Sequence, residues 1–188
     1  MHHRRGKPGN SVSSGIPLAY FRIRRRPGER SKGILITSGT VIPVALGRSG
    51  ILANKWEGDG ATPRGQYHPV KIWWRADRSP PPATLLPLRR IGPTDAWSED
   101  PEDRNYNRPV KRLNGAPGDR LRRTDHLYDI IVEIDHNTRP RVARRGSAVF
   151  IHLARPGFLP TAGCVALEAR RLRWLVSRLG PKTVIDIR

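Results

Sequence analysis

The sequence predicts a mainly β fold, and three observations support that prediction. Short segments in which apolar and polar residues alternate recur along the chain, which is the pattern of half-buried strands. The 18 glycines and 18 prolines are spread over the whole length, as expected for many short elements joined by tight turns. One segment near the C-terminus instead has the 3.6-residue period of an amphipathic helix. With 188 residues, the chain has the length of one domain with a core of its own.

The N-terminal region predicts a loose segment followed by a strand and a hairpin. Residues 1–16 are polar and rich in Gly and Ser, which predicts a flexible terminus and leaves 17–188 as the folded domain. GILITSGTVIPVAL (33–46) predicts two strands around a Ser-Gly turn. Pro43 would place the second strand at a sheet edge or a bulge. Four further segments that alternate as strands are LAYFRIR (18–24), YHPVKIWW (67–74), HLYDIIVEI (126–134) and TVIDI (183–187).

The middle of the chain shows weak patterning. Segments 78–90 and 93–120 are dense in proline and charge, which predicts long loops. Loops of this length in a compact domain are usually functional, so we expect them to cover or line a site.

The C-terminal third has clear strand and helix patterns. In HLYDIIVEI, period two predicts that Tyr128 shares a face with Ile130, and in SAVFIHL (147–153) it predicts that His152 shares a face with Phe150. Segment 167–179 is an amphipathic helix with a Gly-Pro stop signal, and its apolar stripe comprises Leu172, Leu175, Val176 and Leu179.

One cysteine and one histidine near the C-terminus form the candidate catalytic pair. Cys164 lies twelve residues after His152, and a loop of that length can fold back to bring the imidazole to the sulfur. An imidazolium there would favour the thiolate, as would the positive end of the following helix. The backbone N–H groups of Ala162, Gly163 and Cys164 would form an oxyanion hole. A packed thiol and a core histidine are the alternative interpretation on spacing alone.

The chain contains GDGATPRGQY (58–67) and, further along, His152 followed by Thr-Ala-Gly-Cys-Val (161–165). In these two motifs and in their order it resembles the L,D-transpeptidases with a YkuD-type catalytic domain. The resemblance extends over about residues 18–188 and is to a short, divergent subgroup of Gram-negative bacteria. Ala162 replaces the second histidine of the family pattern, and Ala166 replaces a polar residue. The loop between His152 and the cysteine is also shorter than usual.

The resemblance implies a mostly-β sandwich with long active-site loops and a short helix after the cysteine. It implies a peptidoglycan cross-linking enzyme of the periplasm or cell envelope, with Cys164 as nucleophile and His152 as base, and with no metal or cofactor. Stem peptides carry carboxylates, which a guanidinium fork matches, so Arg155 is the main candidate for substrate binding. The other candidates for substrate binding are Thr161, Tyr128, Trp97 and Tyr106.

The net charge of +19 is the basis of one alternative function, a nucleic-acid-binding module. It is disfavoured because the aromatic residues do not alternate with basic ones and no binding motif occurs. A second alternative is a hydrolase (L,D-carboxypeptidase) that uses the same residues on the same peptides. No apolar stretch is long enough to span a membrane, no apolar leader follows the basic N-terminus, no metal-ligand spacing occurs, and a monomer is expected.

Overall fold

A computed structural model of the chain describes residues 16–112 and 118–188. Apart from Ile16, the predicted flexible segment lies outside these ranges. The fold is mainly β, as predicted: one ten-stranded sheet dominates, with a three-stranded sheet and a two-stranded sheet beside it. None of the helices in the described ranges is long and apolar enough to cross a bilayer.

The ten-stranded sheet takes strands from the whole described chain. Its order is β6-β15-β1-β2-β3-β14-β13-β12-β7-β8. The bounds of these strands, in chain order, are β1 Tyr20–Arg25, β2 Lys32–Thr37, β3 Thr40–Ala45, β6 Gly65–Tyr67, β7 Pro69–Trp74, β8 Leu88–Arg90, β12 Ile130–Ile134, β13 Phe150–Leu153, β14 Val165–Leu167 and β15 Val184–Ile187. The remaining strands are β4 Ile51–Leu52, β5 Thr62–Pro63, β9 Asp95–Trp97, β10 Pro109–Lys111 and β11 Asp119–Arg120.

The β2–β3 hairpin forms where the sequence predicts it. Thr37 pairs with Thr40, so the loop is the two residues between them, and Gly39 has φ +73°, a conformation that glycine adopts without a steric penalty. Pro43 is tolerated because the pairing of β3 with β14 is made at Ala45. Strand β3 lies between β2 and β14 in the sheet, so the expectation of an edge strand was wrong.

The main hydrophobic core lies on one face of the curled ten-stranded sheet. Helix α1, Ala169–Val176, supplies part of this core through Leu172, Leu175 and Val176. Leu179, beyond the end of the helix, is also fully buried, so all four predicted stripe residues are in the core. The helix ends at Val176, four residues before the predicted Gly-Pro stop.

A second hydrophobic cluster lies on the opposite face of β7, β12 and β13. In β13, Phe150 belongs to this second cluster and Ile151 to the main core, so the predicted alternation holds. Tyr128 precedes β12 in a turn and also belongs to the second cluster, whereas Ile130 lies in the main core. The prediction that Tyr128 and Ile130 share a face was therefore wrong, because the two-residue period begins only where the strand begins.

The long middle segment covers the second cluster. The expectation of a structureless loop over 93–120 was wrong in part, since this segment folds into the small sheet β10-β9-β11. Trp97 on β9 packs edge-to-face against Phe150 at a centroid distance of 4.9 Å. Burying this indole on the outer face of β13 stabilises the small sheet against the second cluster.

Candidate active site

Strand register places Cys164 and His152 on the same face of the sheet. Strands β13 and β14 run parallel, with Ile151 opposite Val165 and His152 opposite Ala166. Cys164, one residue before β14, therefore lies beside Phe150, two residues from His152 along β13. Because side chains two residues apart in a strand share a face, the thiol and the imidazole both face the second cluster.

Both side chains line one cleft of about 630 Å³. The structure thus places Cys164 and His152 in the same cleft, as the sequence predicted. Ala166, which replaces a polar residue of the family pattern, lies in the cleft wall opposite His152 on the neighbouring strand. The other residues that line the cleft include Arg48, Lys55, Glu57, Glu99, Asp119, Arg123, Tyr128, Ser147, Arg155, Thr161 and Gly163.

The thiol of Cys164 is held by the backbone of the segment that leads into β13. The Phe150 N–H donates to Sγ at 3.3 Å, and Sγ donates to the Ala148 carbonyl at 3.2 Å. Burial raises the pKa of this thiol to about 12, and the nearby carboxylates Asp119 and Glu99 act in the same direction. The Cys164 side chain therefore rests as a neutral thiol.

The imidazole of His152 rests neutral as well. Burial lowers the pKa of His152 to about 4, and the positive charges of Arg123 and Arg155 add to this effect. Nδ1 lies 2.8 Å from the Leu153 carbonyl oxygen. Because a carbonyl only accepts, Nδ1 carries the proton and Nε2 is left free to accept one. Tyr128 fixes the ring from the side, edge-to-face at 5.2 Å.

The expected imidazolium–thiolate pair is not found. Within 16–112 and 118–188 the structure has no hydrogen bond between the His152 ring and Sγ of Cys164, and burial favours the neutral form of both groups. The expected help from the helix dipole was also wrong. Strand β14 separates Cys164 from the first residue of α1, Ala169, and the dipole acts only within the first turn.

The turn before Cys164 is closed by the hydroxyl of Thr161. This hydroxyl donates to the Cys164 carbonyl at 2.6 Å and accepts the Gly163 N–H at 3.1 Å. The Gly163 N–H is therefore engaged in the turn, which leaves the N–H groups of Ala162 and Cys164 as candidates for the oxyanion hole. Thr161 lines the cleft, but its hydroxyl shapes the turn.

The upstream motif, GDGATPRGQY, packs against the turn that precedes Cys164. Thr62 is fully buried and its Oγ1 accepts the Gly47 N–H at 2.9 Å, while Gly47 forms a parallel β-bridge with Thr161. A Cβ on Gly163 would lie 2.8 Å from the carbonyl oxygen of Ala61. The two motifs of the resemblance are thus parts of one packed unit, and glycine at 163 is required by the close approach of the two backbones.

The candidates for substrate binding divide into two groups. Tyr128 and Arg155 line the cleft; Tyr128 is buried and donates to Asp119 at 2.6 Å, whereas Arg155 is exposed. Trp97 and Tyr106 do not line it, so the idea that they wall the cleft was wrong. The Trp97 indole donates to Asn107 at 2.9 Å behind the site, and the buried Tyr106 hydroxyl donates to Glu57. Both aromatic rings are buried by the packing of the small sheet.

The sequence analysis missed six charged residues of the cleft. Three are the carboxylates Glu57, Glu99 and Asp119, and three are the cations Arg48, Arg123 and the buried Lys55. Desolvation and the two neighbouring carboxylates raise the pKa of Glu99 to about 7. No local signal distinguishes these acids from the other charges of the middle segment. Lys55 could have been found, because it stands four residues before Asp59 in the upstream motif.

Two histidines with lowered pKa values, the half-buried His136 and the buried His152, should make the protein less stable in mild acid. Burial lowers the pKa of His136, like that of His152, to about 4, whereas an unfolded histidine titrates near 6.5. Between these values the unfolded chain binds more protons, so the stabilisation is complete above about pH 6.5 and is lost as the pH falls towards 4. Urea unfolding of wild type should lose about 2 kcal/mol more between pH 7 and 5 than His136→Gln does.

The control for this prediction is the same pair of proteins compared between about pH 8 and 9, where neither the folded nor the unfolded form of His136 titrates. There the free energies of unfolding of wild type and His136→Gln should change with pH in parallel. An equal pH dependence in wild type and His136→Gln between about pH 7 and 5 would contradict the prediction.

Comparison with known protein families gives one match. The family model of the YkuD L,D-transpeptidase catalytic domain matches residues 29–187. No curated protein and no solved structure matches the chain significantly. The match spans nearly the whole described domain, including both motifs, the cleft and the Cys164–His152 pair. The chain therefore belongs to the family of YkuD-type L,D-transpeptidase catalytic domains.

Proposed function

We propose that the protein is a peptidoglycan L,D-transpeptidase that uses Cys164 as its nucleophile and His152 as its general base. The observation that carries the proposal is the cleft lined by both the Cys164 thiol and the His152 imidazole, in which the imidazole is neutral and Nε2 can accept a proton. Family membership supports the reaction class. As a member of a cell-wall family, the protein would act in the periplasm or cell envelope.

In the first half-reaction, the donor stem tetrapeptide binds with its diaminopimelate carbonyl against Cys164. The thiol gives up its hydrogen bond to Ala148, transfers its proton to Nε2 of His152, and its sulfur attacks the carbonyl carbon. The N–H groups of Ala162 and Cys164 stabilise the negative oxygen. The C–N bond then breaks, terminal D-alanine leaves with the proton from His152, and a thioester remains.

In the second half-reaction, an amine of an acceptor stem attacks the thioester. His152 accepts the amine proton and returns it to the departing sulfur, so the free thiol is regenerated. Water in place of the amine would give the L,D-carboxypeptidase reaction with the same residues. In both half-reactions the neutral imidazole offers the lone pair of Nε2 to the incoming proton.

The test of the proposed function is to incubate the enzyme with purified disaccharide tetrapeptide and analyse the products by mass spectrometry. A transpeptidase gives a cross-linked dimer whose mass is two donors less one D-alanine. Production of disaccharide tripeptide alone would identify the hydrolase instead. No loss of D-alanine would contradict both reactions.

Arg155 is proposed to bind a carboxylate of the stem peptide. Its side chain is exposed in the cleft, and within the described ranges it has no ion pair with an acid. It also stands three residues after His152. A charge-assisted hydrogen bond contributes roughly 1.5–3 kcal/mol, so Arg155→Ala should lower kcat/KM on stem peptides by about tenfold or more.

Two controls separate substrate recognition from loop shape. Iodoacetamide carries no carboxylate, so its rate with Cys164 should be unchanged in Arg155→Ala. Arg171→Ala, on the exposed side of α1, should leave turnover unchanged. Equal losses on stem peptides and on iodoacetamide would show that Arg155 maintains the loop and does not recognise substrate.

A further inference from the structure

A lysine is buried beside the candidate nucleophile, in a position that the proposed mechanism does not use. Lys55 is 6% exposed, although lysine is rarely buried without a partner. Its Nζ pairs with Asp59 and donates to the Trp56 carbonyl at 2.8 Å. Asp59 is itself fixed by the N–H groups of Trp56 and Ala61, each at 2.8 Å. The ammonium is therefore held in one place by a rigid loop.

The aliphatic part of Lys55 lies between the two backbone segments that flank the thiol. A Cβ on Gly146 would lie 2.8 Å from Cγ and 3.1 Å from Cε of Lys55. A Cβ on Gly163 would lie 3.8 Å from the same Cε. Gly146 leads into the segment whose carbonyl and N–H hold Sγ, and Gly163 precedes the cysteine. Lys55 thus packs against both backbone segments that flank the Cys164 thiol.

We propose that Lys55 is a positioning residue of the Cys164 site, which holds the two flanking segments in place and supplies the buried positive charge that stabilises the thiolate as it forms. The inference rests on the proposed role of Cys164 as nucleophile. Asp59, anchored in the upstream GDG sequence, is the residue that fixes the ammonium. The upstream motif is then linked to the chemistry by charge as well as by backbone packing.

The groups around the thiol act in opposite directions. Asp119 and Glu99 disfavour the thiolate, whereas the Phe150 N–H and, more weakly, the charge of Lys55 favour it. His152 is neutral in the resting state and adds no charge until it accepts the proton. Because electrostatic interactions are stronger in a buried site than in water, a fixed ammonium acts more strongly on the thiolate there. Further titratable groups that interact with the thiol or the lysine are Tyr128, Asp59 and His136.

The test is the rate at which iodoacetamide alkylates Cys164, measured from pH 7 to 10 without any peptide substrate. Only the thiolate reacts. If Lys55→Met raises the pKa of the Cys164 thiol by about one unit, the rate should fall by about tenfold at each pH. Lys55→Arg keeps the charge and should restore the rate to within about threefold of wild type. A profile of Lys55→Met that coincides with wild type would overturn the proposal.

A double variant separates the effect of the lost charge from an effect of lost structure. Lys55→Met leaves Asp59 without its partner, which can destabilise the loop, whereas Lys55→Met with Asp59→Asn removes both charges. The double variant should melt close to wild type and still react about tenfold more slowly. A folded double variant with wild-type reactivity would overturn the proposal. Failure of the proposed function is distinguishable, because it would abolish cross-linking in the wild type while leaving the alkylation profile and its dependence on Lys55 intact.

Discussion

Replacing Cys164 with alanine is expected to abolish both cross-linking and release of D-alanine. The mechanism has no other group that can form the thioester, because Cys164 is the single cysteine of the chain. The fold should survive, since the change removes one sulfur and its two hydrogen bonds to Phe150 and Ala148. The stability cost should be about 1–2 kcal/mol. Product analysis of purified sacculi together with thermal unfolding measures both effects.

Cys164→Ser is the matched control for this prediction. The hydroxyl can keep the hydrogen bonds to Phe150 and Ala148, so the serine variant should be nearly as stable as wild type. It should nevertheless form no detectable product, because a serine hydroxyl is a much weaker nucleophile than a thiolate. Unchanged products from either variant would contradict the assignment of Cys164.

Replacing His152 with alanine is expected to slow acylation by about 10²- to 10⁴-fold. Without Nε2 the mechanism loses the group that takes the proton from the thiol as the sulfur attacks. Reaction of Cys164 with iodoacetamide at high pH should persist, because hydroxide can then supply the thiolate. The two rates are measured separately, acylation by rapid-quench mass spectrometry and alkylation by loss of free thiol.

Tyr128→Phe is the matched control for the His152 prediction. The phenylalanine keeps the aromatic edge against the imidazole and removes only the hydroxyl bonded to Asp119. Acylation in this variant should therefore remain within about tenfold of wild type. If Tyr128→Phe were as slow as His152→Ala, the loss would come from disturbed packing of the cleft and not from a missing base.

The sequence predicts the strands and the helix well because the information is local. Alternation in SAVFIHL assigns Phe150 and Ile151 to opposite faces, and the structure places them in different hydrophobic clusters. The turn at Ser38 and Gly39 needs only a two-residue loop and a positive φ. The pairing of β13 with β14, which brings Cys164 beside the strand that carries His152, depends on residues twelve apart and follows from the resemblance more than from any pattern.

The parts that could not be predicted depend on contacts between distant segments. Trp97 and Tyr106 have the residue types of a cleft wall, but the small sheet turns them inward against Asn107 and Glu57. The neutral state of His152 follows from its burial, from Arg123, which folding brings near, and from Arg155, three residues along the chain. Spacing along the chain contains neither burial nor the charges of distant loops, so it could not predict the protonation state of His152 or of Cys164.

The most direct test of the account is intact-protein mass spectrometry of the wild-type enzyme quenched in acid during turnover of a stem tetrapeptide. The account predicts an adduct equal to the donor less D-alanine, mapped to the peptide that contains Cys164 and released by hydroxylamine. The same adduct should be absent from Cys164→Ala. D-alanine release without any adduct, or with an adduct on a residue other than Cys164, would contradict the central claim that this thiol forms the acyl-enzyme.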